Sequence, residues 1–80
     1  MTLADLPLGQ TARIHAIDWT VLAPDEAKRL QALGFDCGAE ISVDYRGMFG
    51  GKDPLAVAMG DMTIALRRVH AAAMQVEPLA

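Results

Sequence analysis

Residues 24–45, PDEAKRLQALGFDCGAEISVDY, decide the architecture, because they read as a short amphipathic helix, a glycine stop, a tight turn and a strand in direct succession. Pro24 suits a first helical position, where its missing N–H would have had no partner, and Asp25 and Glu26 place negative charge on the positive end of the helix dipole. Ala27, Leu30 and Leu33 recur at helical spacing on one face while Lys28, Arg29 and Gln31 point away, so the helix lies on something apolar. With Gly34 in the left-handed position after the helix, Phe35 falls where a Schellman cap sets a hydrophobic contact back to Leu30. Asp36, Cys37 and Gly38 then make a turn. Ile41, Val43 and Tyr45 alternate with Ser42, Asp44 and Arg46, the period of a strand with one buried face.

On the N-terminal side, Thr2 is placed to cap one short turn that includes Asp5, and Pro7 ends it. Residues 10–17 alternate, with Ala12, Ile14 and Ala16 on one side and Arg13 and His15 on the other, as a half-exposed strand does. Residues 18–23 carry Trp19, Val21 and Leu22 without a period and read as a loop. On the C-terminal side, three glycines and a proline within residues 47–54 cannot sustain a ladder, so a loop is expected there. Gly60-Asp61 then reads as a two-residue hairpin loop that sets Met59 opposite Met62, Val57 opposite Ile64 and Leu55 opposite Leu66, all six on one apolar face. Residues 67–73 form a helical turn, and Met74 and Val76 supply a last strand before Pro78 ends the order and leaves a loose tail. The sum is a mainly β fold: five short strands with one substantial helix between strands one and two. Short strands in a small domain solve their edge problem by curling, so a small SH3-like β-barrel is expected.

Eighty residues make one domain, residues 1–80, in which little surface is buried and every apolar face counts. Hydrophobic residues make up 52% of the chain, enough for a globular core. Seven Lys and Arg against ten Asp and Glu give a net charge of -3, which argues against a phosphate-backbone partner and so against nucleic acid. With no basic segment ahead of an apolar one, and no apolar run near the roughly 20 residues that span a bilayer, the chain reads as cytoplasmic, without direct membrane insertion. Cys37 is alone and cannot form an internal disulfide; a small apolar filler is its simplest role.

The order and spacing of several motifs resemble the FeoA family, small proteins associated with bacterial ferrous iron uptake. The resemblance rests on Leu3 with Leu6-Pro7-Leu8-Gly9, on Arg29-Leu30-Gln31-Ala32-Leu33-Gly34-Phe35 before Gly38, on Gly51-Lys52-Asp53-Pro54, and on Ile64-Ala65-Leu66-Arg67-Arg68 leading to Ala71 and Val76. It implies an SH3-like domain that acts by protein contact with the membrane iron permease FeoB and its cytosolic GTPase part. Three features depart from the pattern: residues 18–23 form a longer link than expected and contain Trp19, Val69-His70 stands where acidic residues are usual, and Met48-Phe49 is more apolar than a solvated loop needs.

The residues offer little chemistry. Cys37, His15 and His70 are conceivable soft ligands for Fe(II) or zinc in a carrier or sensor, but they fall on three separate elements and no pair has metal-ligand spacing, so no metal site and no cofactor is assigned. Nothing places a nucleophile beside a base and an orienting group, and an enzyme is not expected. Arg67 and Arg68 could serve as an arginine finger, against the simpler reading in which one stem covers the sheet edge and the other side chain is solvated. Gly47, Gly50 and Gly51 lack the downstream pattern of a phosphate loop. Trp19, Met48 and Phe49 are large apolar side chains in expected loops; with Lys52 they form a candidate docking surface, or else the loops fold back and cap the barrel. Self-association through those loops or through an exposed barrel edge, giving a weak homo-oligomer, is a third expectation and is compatible with the accessory role.

Overall fold

The computed structural model describes residues 1–46 and 53–79. Its long helix, α1, spans Pro24–Leu33. Ala23 before it is extended (φ -61°, ψ 146°), as a residue preceding proline must be, and Asp25 and Glu26 occupy the first turn. Gly34 ends the helix in the left-handed region at φ 107°. Its N–H donates to the Gln31 carbonyl at 3.1 Å, and the Phe35 N–H donates to the Leu30 carbonyl at 3.0 Å, the two bonds of a Schellman motif. Leu30 and Phe35 are both fully buried. Ala27 and Leu33 pack against the same core from the edge of the helical stripe.

The turn after the helix launches the sheet. Gly38, at φ 94°, donates its N–H to the Ile14 carbonyl at 2.7 Å, and the Ile14 N–H donates to the Ala39 carbonyl at 2.9 Å. Strand β1 (Thr11–Ile17) thereby meets β2 (Glu40–Arg46), which pairs onward with β3 (Leu55–Met59) and through it with β4 (Met62–Leu66). Short helix α2 (Arg68–Ala71) leads to β5 (Met74–Pro78), antiparallel to β1. The strand order is β4-β3-β2-β1-β5 in one five-stranded sheet. The architecture is the expected mainly β one, with α1 between β1 and β2.

The sheet does not close into a ring. Its end strands β4 and β5 are not hydrogen-bonded neighbours, so β5 extends the sheet beyond β1 instead of joining β4. Two register shifts bend it, one in β1 between Ile14 and Ala16, the other in β2 between Val43 and Tyr45. The near-equal extents of 30 × 28 × 24 Å fit a sheet curled around its contents rather than a flat one. Those contents are aliphatic: Leu3, Leu6, Ile14, Val43, Val57 and Met74 are among the side chains with no or almost no exposure.

The hairpin register is as the alternation dictates, with Leu55 opposite Leu66, Val57 opposite Ile64 and Met59 opposite Met62 around Gly60 at φ 60°. One of the six side chains departs from the buried face: Met62 is 42% exposed, because it starts an edge strand and has a neighbour on one side only. Order also runs further at the C-terminus than expected. Pro78 is inside β5, which an edge strand tolerates because the missing N–H faces no partner strand, and the Leu79 N–H donates to the Thr11 carbonyl at 2.9 Å. At the other terminus the short 3-10 turn Leu3–Asp5 is flanked by Thr2 as expected, yet the Thr2 hydroxyl donates to the Asp5 carboxylate at 3.2 Å rather than capping the backbone. Residues 18–23 are not an open loop: Trp19–Val21 is a 3-10 turn, with Asp18 accepting from the Thr20 N–H at 3.1 Å, and Leu22 is buried.

Gly34→Ala tests the reversal. A Cβ there would sit 3.5 Å from the end of the Met59 side chain, an ordinary contact, so the cost is backbone conformation. Urea unfolding should show a loss of about 1–2 kcal/mol, the expense of the left-handed region for an L side chain. An unchanged midpoint would mean that the helix end is not under that constraint.

Candidate docking surface

The bulge in β1 ends the simple alternation of that strand. Beyond it Ala16 and Ile17 are both half-buried, and the Asp18 N–H donates to the Ala73 carbonyl at 2.9 Å, tying the end of β1 to the segment after α2. Between these pieces lies an open groove of about 490 Å³. It is lined by Ala16, Ile17 and Asp18 around the end of β1, by Val69, Ala72 and Ala73 of α2 and the segment after it, and by Val21 and Gln75. Small side chains keep it open: three alanines contribute where larger residues would fill the space. Val21 is 57% exposed and Val69 56% exposed, so two β-branched apolar side chains stand in water at the rim. The charged residue of the lining is Asp18, whose carboxylate is engaged by the backbone and hydroxyl of Thr20. Such a surface is mainly apolar, with Asp18 and Gln75 as its polar side chains.

The residues singled out in the sequence are distributed differently. Trp19 is partly buried and packs against the core, so it contributes to the wall of the fold and only in part to its surface. Met48, Phe49 and Lys52 lie outside the described residues. The sequence left Trp19 either to docking or to folding back on the core, and it packs in part against the core; Val21 and Val69 are among the exposed large apolar side chains. Val69 was visible as an apolar residue at a polar place; Val21 had no local signal.

His15 and Cys37 are exposed, and the Cys37 thiol donates to the backbone carbonyl of His15 at 3.4 Å, a contact that does not involve the imidazole. His70 is elsewhere, on α2. Its Nδ1 is buried without a hydrogen-bond partner and lies 3.7 Å from Glu26 Oε1 of α1. Among the described residues no three His, Cys, Asp or Glu groups converge as a metal site. Arg67 is exposed; Arg68 is half-buried, and its backbone N–H donates to the Asp53 carboxylate at 2.8 Å. Among the described residues no helix is long and apolar enough to cross a membrane.

The FeoA domain model matches residues 1–78. The chain belongs to the FeoA family. That family is tied to ferrous iron transport. The FeoA protein from Chlorobium tepidum is 30% identical, with a TM-score of 0.84, the match covering 100% of this chain and 71% of that one. FeoA from Stenotrophomonas maltophilia is 37% identical, with a TM-score of 0.78 and coverage of 96% and 89%. That protein was solved in complex with zinc and is described as a procaryotic SH3 domain protein. The iron(II) transport protein A from Clostridium thermocellum is 29% identical over 99% of this chain, with a TM-score of 0.82, and this chain spans only 46% of its length. No curated protein matches the chain. The SH3-like reading of the open, curled FeoA sheet thus agrees with the fold of its relatives.

One electrostatic contact braces the helix beside α2. The Glu26 carboxylate accepts from Arg29, with Nη2 at 2.6 Å and Nε at 3.2 and 3.3 Å. These hydrogen bonds from Arg29 come first, and with the nearby Arg29, His70 and Arg67 side chains they hold the Glu26 carboxyl below the usual carboxylate range, against the opposing pull of burial. Since the folded-state value is the lower one, this stabilisation is present above the unfolded value of about 4.3 and is lost as pH falls through the folded one. Glu26→Gln should therefore unfold at lower urea than the wild type at pH 7, by about 0.5 kcal/mol for an exposed pair one turn apart. The difference should vanish in strong acid. A gap that persists there would assign the effect to packing instead of charge.

Proposed function

We propose that this FeoA-family chain is a non-catalytic accessory protein of ferrous iron uptake, acting in the cytoplasm by binding the GTPase part of the membrane permease FeoB. The observation that carries the reading is the groove between β1 and α2, open, apolar and rimmed by Val21 and Val69. Membership of the FeoA family supplies the transport context. Trp19, Met48, Phe49 and Lys52 belong to the same proposal as a further contact surface. Binding through side chains without a reacting group changes the partner's conformational equilibrium by differential contact and requires no chemistry from the smaller protein.

The test is titration of the full chain into the purified cytosolic GTPase domain, with GTP hydrolysis followed in parallel to give the sign of regulation. Val69→Asp changes an exposed side chain, so the fold should stand while binding weakens tenfold or more, the effect of a charge in a desolvated apolar contact. Phe49→Ala tests the second surface in the same assay. If both variants bind as the wild type does, neither surface is the interface.

A second reading, transition-metal binding, is favoured by the zinc held by the S. maltophilia relative. Zinc titration of this chain should then saturate near micromolar concentration and release protons from its ligands. His15→Ala, Cys37→Ser and His70→Ala name the candidate donors, and a titration without saturation removes the reading.

A further inference from the structure

The two ends of the sheet are finished in different ways. The outer edge of β5 is guarded: Thr2 bridges Gln75, the Val76 N–H donates to the Met1 carbonyl at 2.9 Å, and Glu77 and Pro78 follow in the strand. A charge and a proline are ordinary protections of an edge. Strand β4 has none of them. Met62–Leu66, MTIAL, contains no charged residue, no proline and no glycine, and its pairing with β3 is regular along all five residues.

The hairpin register says which groups are free. A two-residue loop is closed by a hydrogen-bonded pair, here Met59 and Met62, so Val57–Ile64 and Leu55–Leu66 are hydrogen-bonded pairs as well. Thr63 and Ala65 occupy the alternate pairs and turn their N–H and C=O groups outward. Both residues are exposed, and among the described residues no backbone group takes up these donors and acceptors. Helix α1 approaches the hairpin from the core side, where Gly34 lies against the buried Met59 side chain.

We propose that β4 pairs with β4 of a second copy of this chain, antiparallel and centred on Ile64. The sequence around the strand selects that occupant and that register. About a two-fold axis through Ile64, Thr63 faces Ala65 of the other copy and Ala65 faces its Thr63, so all the outward groups of both strands are paired. In the same register Asp61 comes opposite Arg67 of the other copy, twice by symmetry. Both are exposed, Asp61 makes no ion pair among the described residues, and Arg67 exerts only a longer-range pull on Glu26. On the core-side face the register sets Ile64 opposite its own counterpart and Met62 opposite Leu66; Ile64 and Leu66 are already buried in their own chain, so the half-exposed Met62 is the apolar surface this face adds. Shifting the pairing by two residues leaves outward groups unpaired and breaks the match of Asp61 with Arg67. Self-complementarity about a two-fold axis is what an isologous interface requires.

The experiment is sedimentation of the full chain over a wide concentration range, with amide hydrogen exchange of Thr63 and Ala65 at the same concentrations. The mass should double with concentration as these two amides slow. Asp61→Arg and Arg67→Asp should each weaken association by about tenfold, since each replaces two attractive pairs by two repulsive ones, and the double reversal should restore it. Both positions are exposed, so the fold is not at stake, and circular dichroism checks it. The proposal is overturned if the chain stays monomeric at millimolar concentration, if the two amides exchange at one rate while the mass doubles, or if the double reversal associates no better than the singles.

Discussion

A backbone reversal at Gly34 governs much of this structure. An extra turn of helix would carry Phe35 around to the solvent side of α1, whereas the left-handed step returns it to the core beside Leu30. Two buried side chains of this size are worth several kcal/mol against exposure, a large share of what an 80-residue chain can muster. The same reversal points the chain at β1, so that Gly38 and Ala39 reach the Ile14 backbone and start the β1–β2 ladder. Helix end, core anchor and strand register are thus consequences of a single conformational step.

The bulges do for the surface what the glycine does for the core. A sheet of uninterrupted alternation would send Ile17 to the solvent face with Arg13 and His15. The extra residue in β1 turns Ile17 toward the core and lets Asp18 bond to Ala73, which draws the start of β5 and the end of α2 against β1. The groove exists because those segments meet through alanines, whose side chains are too short to close it. Its apolar rim has no core left to join, so it costs solvation energy until something covers it.

Features declared by single residues were legible in advance. Proline at the first turn and glycine after the last bracket α1 to the residue, and Gly60-Asp61 with apolar residues at even spacing sets the hairpin register. What could not be read depends on neighbours distant in the chain. Met62 matches the buried pattern of its strand and is exposed because it sits at the hairpin end of β4, whereas Ile64 and Leu66 further along the same edge strand are buried. Trp19 looked unplaced because nothing local shows that a 3-10 turn folds it back on the core. Val21 and Val69 are separated by most of the chain, and their shared groove is created by the β1 bulge, which leaves no mark in the sequence. Pro78 misled in the opposite direction, since proline ends a central strand but not an edge one.

The β4–α2 junction carries both proposed contacts. Arg67 is the last residue of the self-paired register and the cap of α2, and Val69 stands two residues later at the rim of the groove. Among the interactions that hold this junction are the hydrogen bonds of the His70 and Ala71 N–H groups to the Arg67 carbonyl, that of the Arg68 N–H to Asp53, the approach of His70 to Glu26, and the burial of Ala71. A partner gripping Val69 and a second copy gripping Arg67 act on the same few residues. Each must order that segment, and the conformational entropy lost to the first need not be lost again to the second. Any such coupling is reciprocal: the factor by which self-pairing strengthens the groove contact is the factor by which a groove partner strengthens self-pairing.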